Sequence, residues 1–150
     1  MASIQNVSLK ALKSGFGRNE NGFQANIYLG KKKIGFVLDE GNGGALKIDI
    51  MDKQEEFEQI AQNHMKSKQK DYYSAEEDFL YELVELVDNE KEYKKAVKKG
   101  FNYVVFLDYG MKKMPEIARC TTEQGVKKMI NECQPEKHTV YGSLEDFIIA

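Results

Sequence analysis

Residues 23–50 read "FQANIYLGKKKIGFVLDEGNGGALKIDI". Phe23–Leu29 alternates apolar and polar side chains with period two, the pattern of a strand that lays one face on a core. Gly30-Lys31-Lys32 then reads as a tight hairpin turn. Beyond it, Ile34, Phe36 and Leu38 share one face of the next strand, with Gly35, Val37 and Asp39 on the other. Gly41-Asn42-Gly43-Gly44 turns the chain again, and Leu46, Ile48 and Ile50 resume the alternation. Upstream, Ile4, Val7, Leu9 and Ala11 fit one more strand, separated from Phe23 by a long glycine-punctuated turn over residues 14–22. Residues 1–50 are therefore expected to form a four-stranded antiparallel meander with lysines guarding one edge.

The period changes at Asp52. Phe57, Ile60, Ala61, His64 and Met65 fall at steps of three and four, on one helical face. Asp52 has the chemistry of an N-cap, with Glu55 and Glu56 in the first turn that follows. After a break near Lys70-Asp71-Tyr72-Tyr73, Ser74-Ala75-Glu76-Glu77 matches a capping box. The helix it opens turns Phe79, Leu80, Leu83, Val84 and Val87 inward and either ends at Asp88-Asn89 or bends and continues to Gly100, with Tyr93, Ala96 and Val97 as a short apolar face. Phe101–Leu107 is a continuous β-forming run, expected to be covered on both faces, with Pro115–Cys120 pairing to it across a turn at Gly110. Thr121 or Thr122 caps a helix to Cys133 with Val126, Met129, Ile130 and Cys133 inward. Thr139–Tyr141 is a short strand, and Ser143 caps a terminal helix. The fold class is α+β: an N-terminal meander, central acidic helices and a C-terminal strand-strand-helix segment. Residues 1–150 read as a single domain of three segments, 1–50, 51–100 and 101–150.

A chain of 150 residues buries about 70% of its unfolded surface, enough for a core without disulfides or metals. Hydrophobic residues make up 41% and charged residues 31%, the balance of a globular protein rather than a disordered one. No apolar run approaches the ~20 residues of a membrane span, so no membrane partner is expected. Met1–Asn6 lacks the basic-then-apolar pattern of a signal peptide. Cys120 and Cys133 have no CxxC spacing and fit a reducing cytoplasm.

The net charge of −2 is unevenly placed. Residues 51–92 carry 13 acidic and 5 basic side chains, whereas residues 1–50 carry 7 basic against 4 acidic and residues 93–150 carry 10 against 7. A general nucleic-acid binder shows a strong basic excess, which this chain does not. The acidic middle suits a basic partner.

The chemistry-bearing residues divide by how well their spacing fits a known site. The glycine loop lacks the lysine and hydroxyl of a phosphate-binding P-loop and leads into a strand, so it has no helix N-terminus to cradle phosphate. Its N–H groups remain able to form an anion nest. Asp39 and Asp49 flank the loop. A hairpin that brought them together, with Lys47 nearby, would make a small ligand-binding or metal-dependent phosphoryl-transfer enzyme. His64, Cys120, Cys133 and His138 match no zinc spacing, and His64 on its apolar face reads as a core histidine. Lys31–Lys33, Lys94-Lys95, Lys98-Lys99, Lys112-Lys113 and Lys127-Lys128, with Tyr28, Tyr93, Tyr103 and Tyr109 among them, leave a nonspecific nucleic-acid binder as a further alternative. Arginine, the better reader of phosphate and guanine, occurs only at Arg18 and Arg119. No catalytic signature, cofactor site or metal site emerges, which favours a binding protein over an enzyme. The acidic helical surface is the first binding candidate through Glu76, Glu77, Glu82 and Glu85, and the loop tip at Asn42 and Gly43 is the second.

The stretch "GKKKIGFVLDEGNGGALKIDI" (residues 30–50) resembles the openings of small accessory proteins carried by phages and other mobile elements, over about the first third of the chain. The resemblance transfers no active site. It implies a role in which a short protein blocks a host system by binding it. An inhibitor of a CRISPR or similar defence nuclease, acting on another protein with a basic surface, is the concrete expectation.

Overall fold

The computed structural model describes residues 1–68 and 74–150. The expected break near Lys70–Tyr73 lies outside them. The chain divides into two compact units, residues 2–87 with 149–150, and Met1 with residues 88–148. The boundary falls within one helix, not at the edges of the segments read from sequence.

The first unit is built on an antiparallel meander. β1 (Ser3–Ile4) and β2 (Val7–Phe16) form a hairpin, with Gln5 and Asn6 at φ 52 and 68 in the two turn positions. What the sequence suggests as one strand from Ile4 is therefore two. β3 (Gly22–Leu29), β4 (Lys32–Asp39) and β5 (Lys47–Ile50) continue the meander, and the spatial order is β5-β4-β3-β2-β1-β9. β9 is the dipeptide Ile148–Ile149, and Gln5 N–H donates to the Ile149 carbonyl at 2.8 Å.

A bulge in β4 resets the phase of the alternation. Ile27 pairs with Gly35 but Tyr28 pairs with Lys33, so Ile34 is the extra residue. Ile34 is buried, yet Phe36 and Leu38 are half-exposed, and the core face downstream is Gly35, Val37 and Asp39. Pairing carries that face across the sheet through Phe23, Ala25 and Ile27 to Leu9.

α1 (Gln54–Ser67) buries Phe57, Ala61, His64 and Met65. Asp52 does not cap it. The N-cap is Lys53, in the left-handed region at φ 55, with no side-chain cap bond. The Asp52 carboxylate instead pairs with Lys32, whose hydrogen bond holds it below its ordinary value. α2 runs unbroken over Ala75–Lys98, with its residues up to Val87 in the first unit. Phe79, Leu80 and Leu83 are fully buried, while Val84 and Val87 are half-buried at the margin. Phe79 meets Phe57 and His64 edge to face, at centroid distances of 5.9 and 5.5 Å. Each such buried apolar side chain contributes roughly 1.5–3 kcal/mol.

In the second unit α2 ends at Gly100. With φ 95, that glycine lets Phe101 N–H reach the Ala96 carbonyl and Gly100 N–H reach that of Val97, both at 3.0 Å. Val97 is exposed, not part of an apolar face. Glu90 is buried and takes the Met1 ammonium at 3.4 Å and Lys94 at 3.7 Å, since a buried carboxylate needs a cation. β6 (Tyr103–Asp108) is the centre of a three-stranded antiparallel sheet, order β7-β6-β8, with β7 at Glu116–Cys120 and β8 at Lys137–Tyr141. Its continuous apolar sequence follows from burial on both faces. Val105 and Leu107 pack with Cys120 and Val126, the latter on α3 (Glu123–Cys133), while Val104 is buried on the opposite face. Thr122 Oγ1 caps α3 by accepting from Gly125 N–H at 3.0 Å. The expected terminal helix is a single 3-10 turn, Leu144–Phe147, with a complete Ser143/Asp146 capping box. Phe147 stacks on Tyr141 at 4.2 Å.

Candidate functional site

Asp39 closes β4 on the buried face, and the glycine loop is organised around it. Its Oδ1 accepts Gly41 N–H at 2.9 Å, and its Oδ2 accepts the Tyr81 hydroxyl at 3.2 Å. Gly41 sits at φ 72, and a Cβ there would run into the Phe16 carbonyl oxygen. The Gly41 carbonyl in turn accepts Asn19 N–H at 2.8 Å, which ties the loop to the β2–β3 turn. Asn42 Oδ1 accepts Gly44 N–H at 3.0 Å, leaving Gly43 exposed at the tip. At the exit, Leu46 N–H donates to Glu77 Oε1 at 3.0 Å, and Lys47 bridges to Glu40 at 2.7 Å. That lysine's hydrogen bond and charge hold the exposed Glu40 carboxyl below its ordinary value. The loop is pinned at entry and exit and open only at its tip.

Between this loop and α2 lies a cleft of about 430 Å³. Asn19 and Asn21 line it from the β2–β3 turn, Gly43 and Gly44 from the loop, and Tyr81 and Val84 from the helix. Phe23 and Asp39 are its most buried members. Phe23 and Tyr81 meet edge to face at 5.9 Å and 72°. Burial raises the Tyr81 phenol above its ordinary 10.0, and the neighbouring Asp39 charge and hydrogen bond raise it further. Tyr81 therefore stays a proton donor to Asp39 at neutral pH.

The four helical carboxylates expected at a binding surface do not share a face. Glu82 Oε2 accepts the ring N–H of His64 at 2.6 Å, and its other oxygen lies 3.5 Å from Lys68. Glu77 holds Leu46, so only half of the capping box forms: Ser74 Oγ accepts Glu77 N–H at 3.4 Å, but the Glu77 side chain serves the loop. Glu76 is half-buried and takes the Ser74 hydroxyl at 3.4 Å. Glu85 alone projects into solvent; the exposed Tyr81 lies one turn before it on the helix, and the half-buried Asp78 one turn before that, at spacing i, i+3, i+7. Asn42 and Gly43 are exposed, as expected for a loop tip. The sequence reading missed Tyr81, Asp39 as an internal acceptor, and the Asn19-Asn21 pair. The i, i+3, i+7 spacing around Tyr81 was the available signal.

The paired-carboxylate alternative meets a geometric correction. Asp49 pairs with Phe36 and so shares the Phe36/Leu38 face, whereas Asp39 pairs with Phe23 on the core face. The register points the two carboxylates to opposite sides of the sheet, and Lys47 is engaged by Glu40. Among the described residues no group of three or more His, Cys, Asp or Glu side chains is placed to hold a metal. His64 is a buried histidine packed on Phe79, and Cys133 Sγ contacts Met129 Sδ at 3.6 Å. Several of the lysines in the basic clusters are paired: Lys32 with Asp52, Lys94 with Glu90, Lys95 with Glu92, Lys113 with Glu116 and Lys128 with Glu132. Among the described residues no helix is long and apolar enough to cross a membrane. Comparison with protein-family models, curated proteins and solved structures finds no match.

Proposed function

We propose that this chain is a protein-binding inhibitor that covers a basic, nucleic-acid-handling surface of another protein. A defence nuclease is the target that the phage-protein resemblance implies. The observation that supports this reading is the meeting of the loop tip and the acidic helix. Gly43 and Gly44 line the same cleft as Tyr81, and on the helix Tyr81 is flanked by the half-buried Asp78 and the exposed Glu85. On this reading the two patches act as one surface, with an aromatic centre at Tyr81, an exposed glycine tip and the Asp78 and Glu85 carboxylates one turn to either side. Carboxylates on a rigid helix present negative charge where a basic groove would otherwise hold phosphates.

The test is a cleavage assay. A panel of purified defence nucleases is titrated with the wild-type chain and with the Asp78→Lys/Glu85→Lys variant. The wild type should suppress cleavage by a panel member, and excess nucleic acid substrate should relieve it. The variant should need at least about tenfold more protein, because like charges brought together at an interface cost several kcal/mol. Uninhibited cleavage by every nuclease, or equal potency of the variant, would overturn the proposal.

A further inference from the structure

We propose that the cleft between the glycine loop and α2 is a recognition pocket for a cationic side chain, guanidinium or ammonium, supplied by the protein partner. This rests on the reading of that surface as partner-binding, and it names the chemical group that anchors there.

The first support is the carboxylate. Asp39 is only 7% exposed and lines the cleft, where it accepts two hydrogen bonds, from Gly41 N–H and the Tyr81 hydroxyl. An ionised carboxylate has about four acceptor positions, so Asp39 keeps capacity for a further donor. It is also the only charged residue among the described residues lining the cleft, and it gives the space a single negative sign. A cation entering here meets a fixed charge already oriented by backbone and phenol.

The second support is aromatic. Tyr81 is 43% exposed and its ring belongs to the lining, steadied by the edge-to-face contact with Phe23. A cation within about 6 Å of such a ring is attracted by its quadrupole. Guanidinium suits this better than ammonium because it is planar, less strongly hydrated and able to stack. The third support is size and rigidity. The volume of 430 Å³ lies within the roughly 300–1,000 Å³ of ligand pockets. The Gly41 and Asn42 turns hold the loop wall in place, so little ordering is left for binding to impose. Arginine is among the residues that most often anchor interfaces by filling such pockets.

The experiment needs no partner. Amide NMR spectra of the full chain are recorded during titration with N-acetyl-arginine amide, N-acetyl-lysine amide and the uncharged N-acetyl-citrulline amide. Saturable shifts are expected at Asn19, Asn21, Gly43, Gly44 and Tyr81 with the two cations, tighter for arginine, and not with citrulline. Asp39→Asn keeps an acceptor for Gly41 N–H but removes the charge, and should weaken arginine binding at least tenfold. Val84→Phe fills the cleft from a half-buried helical position and should abolish the shifts while the remaining spectrum, and hence the fold, is retained. No saturable shift, equal shifts with citrulline, or unchanged binding by both variants would overturn the pocket. If the pocket fails while Asp78→Lys/Glu85→Lys still relieves nuclease inhibition, the partner surface stands without it. If arginine binds while no nuclease is inhibited, the pocket stands and the inhibitor reading falls.

Discussion

Glu82→Ala separates structural carboxylates from presented ones. Glu82 Oε2 accepts from His64 at 2.6 Å, and the His64 side chain is 5% exposed, packed edge to face on Phe79. Truncating Glu82 leaves a buried ring nitrogen without its acceptor. A hydrogen bond to a charged group is worth about 1.5–3 kcal/mol. The Lys68 contact at 3.5 Å joins partly exposed groups and adds at most about 0.5 kcal/mol. The expected loss is therefore about 2–3 kcal/mol, or roughly 4–12 °C in melting midpoint for a chain of this length. Urea denaturation followed by far-ultraviolet circular dichroism measures it, with Glu85→Ala as the comparator expected within about 0.5 kcal/mol of wild type. Replacing both partners, His64→Leu with Glu82→Leu, should recover part of the loss, since removing a buried pair together strands neither group. If Glu82→Ala matched Glu85→Ala, the assignment of Glu82 to the buried His64 as its acceptor would be wrong.

Phe79→Ala removes a fully buried ring that contacts both Phe57 and His64, and calorimetry should show a cost of about 3–5 kcal/mol. Gly41→Ala meets both a left-handed backbone and the Phe16 carbonyl, so chemical denaturation should show a loss of at least about 1–3 kcal/mol. Gly43→Ala, equally left-handed but with open space around it, should cost less. Tyr81 should titrate above 10.0 in an absorbance titration at 295 nm, and Asp39→Asn should bring it back toward the ordinary value. Between the unfolded and folded values the folded chain holds the proton that the unfolded chain has lost. Stability from this group is thus complete below about pH 10 and declines as pH rises through the folded value, and Tyr81→Phe should remove that decline.

The meander, α1, the α3 cap at Thr122 and the Gly100 stop were legible because each rests on local periodicity or a local cap. The Ile34 bulge was not, because one unpaired residue reverses every side chain after it and leaves no mark in composition. It makes Asp39 a core-face residue and separates it from Asp49. Asp52 reads as a cap by type, yet Lys32, brought near by the hairpin, claims its carboxylate. The same limit governs the candidate site. Charge density flagged the 76–85 segment, but whether a carboxylate faces inward depends on neighbours distant in sequence: Leu46 for Glu77 and His64 for Glu82. Tyr81 falls outside the inward set of Phe79, Leu80, Leu83, Val84 and Val87, and nothing local in the sequence shows that the glycine loop lies beside it.

The central claim is that the glycine tip and the Asp78-Tyr81-Glu85 stripe of α2 form one partner-binding surface. Its most direct measurement is the equilibrium affinity of the chain for an inhibited nuclease, wild type against Asp78→Lys/Glu85→Lys, with Glu82→Ala measured alongside at a temperature where it remains folded. The account predicts that the charge reversal weakens binding at least about tenfold and that Glu82→Ala leaves it within about twofold. Affinity indifferent to the reversal, or lost only on removing Glu82, would contradict it.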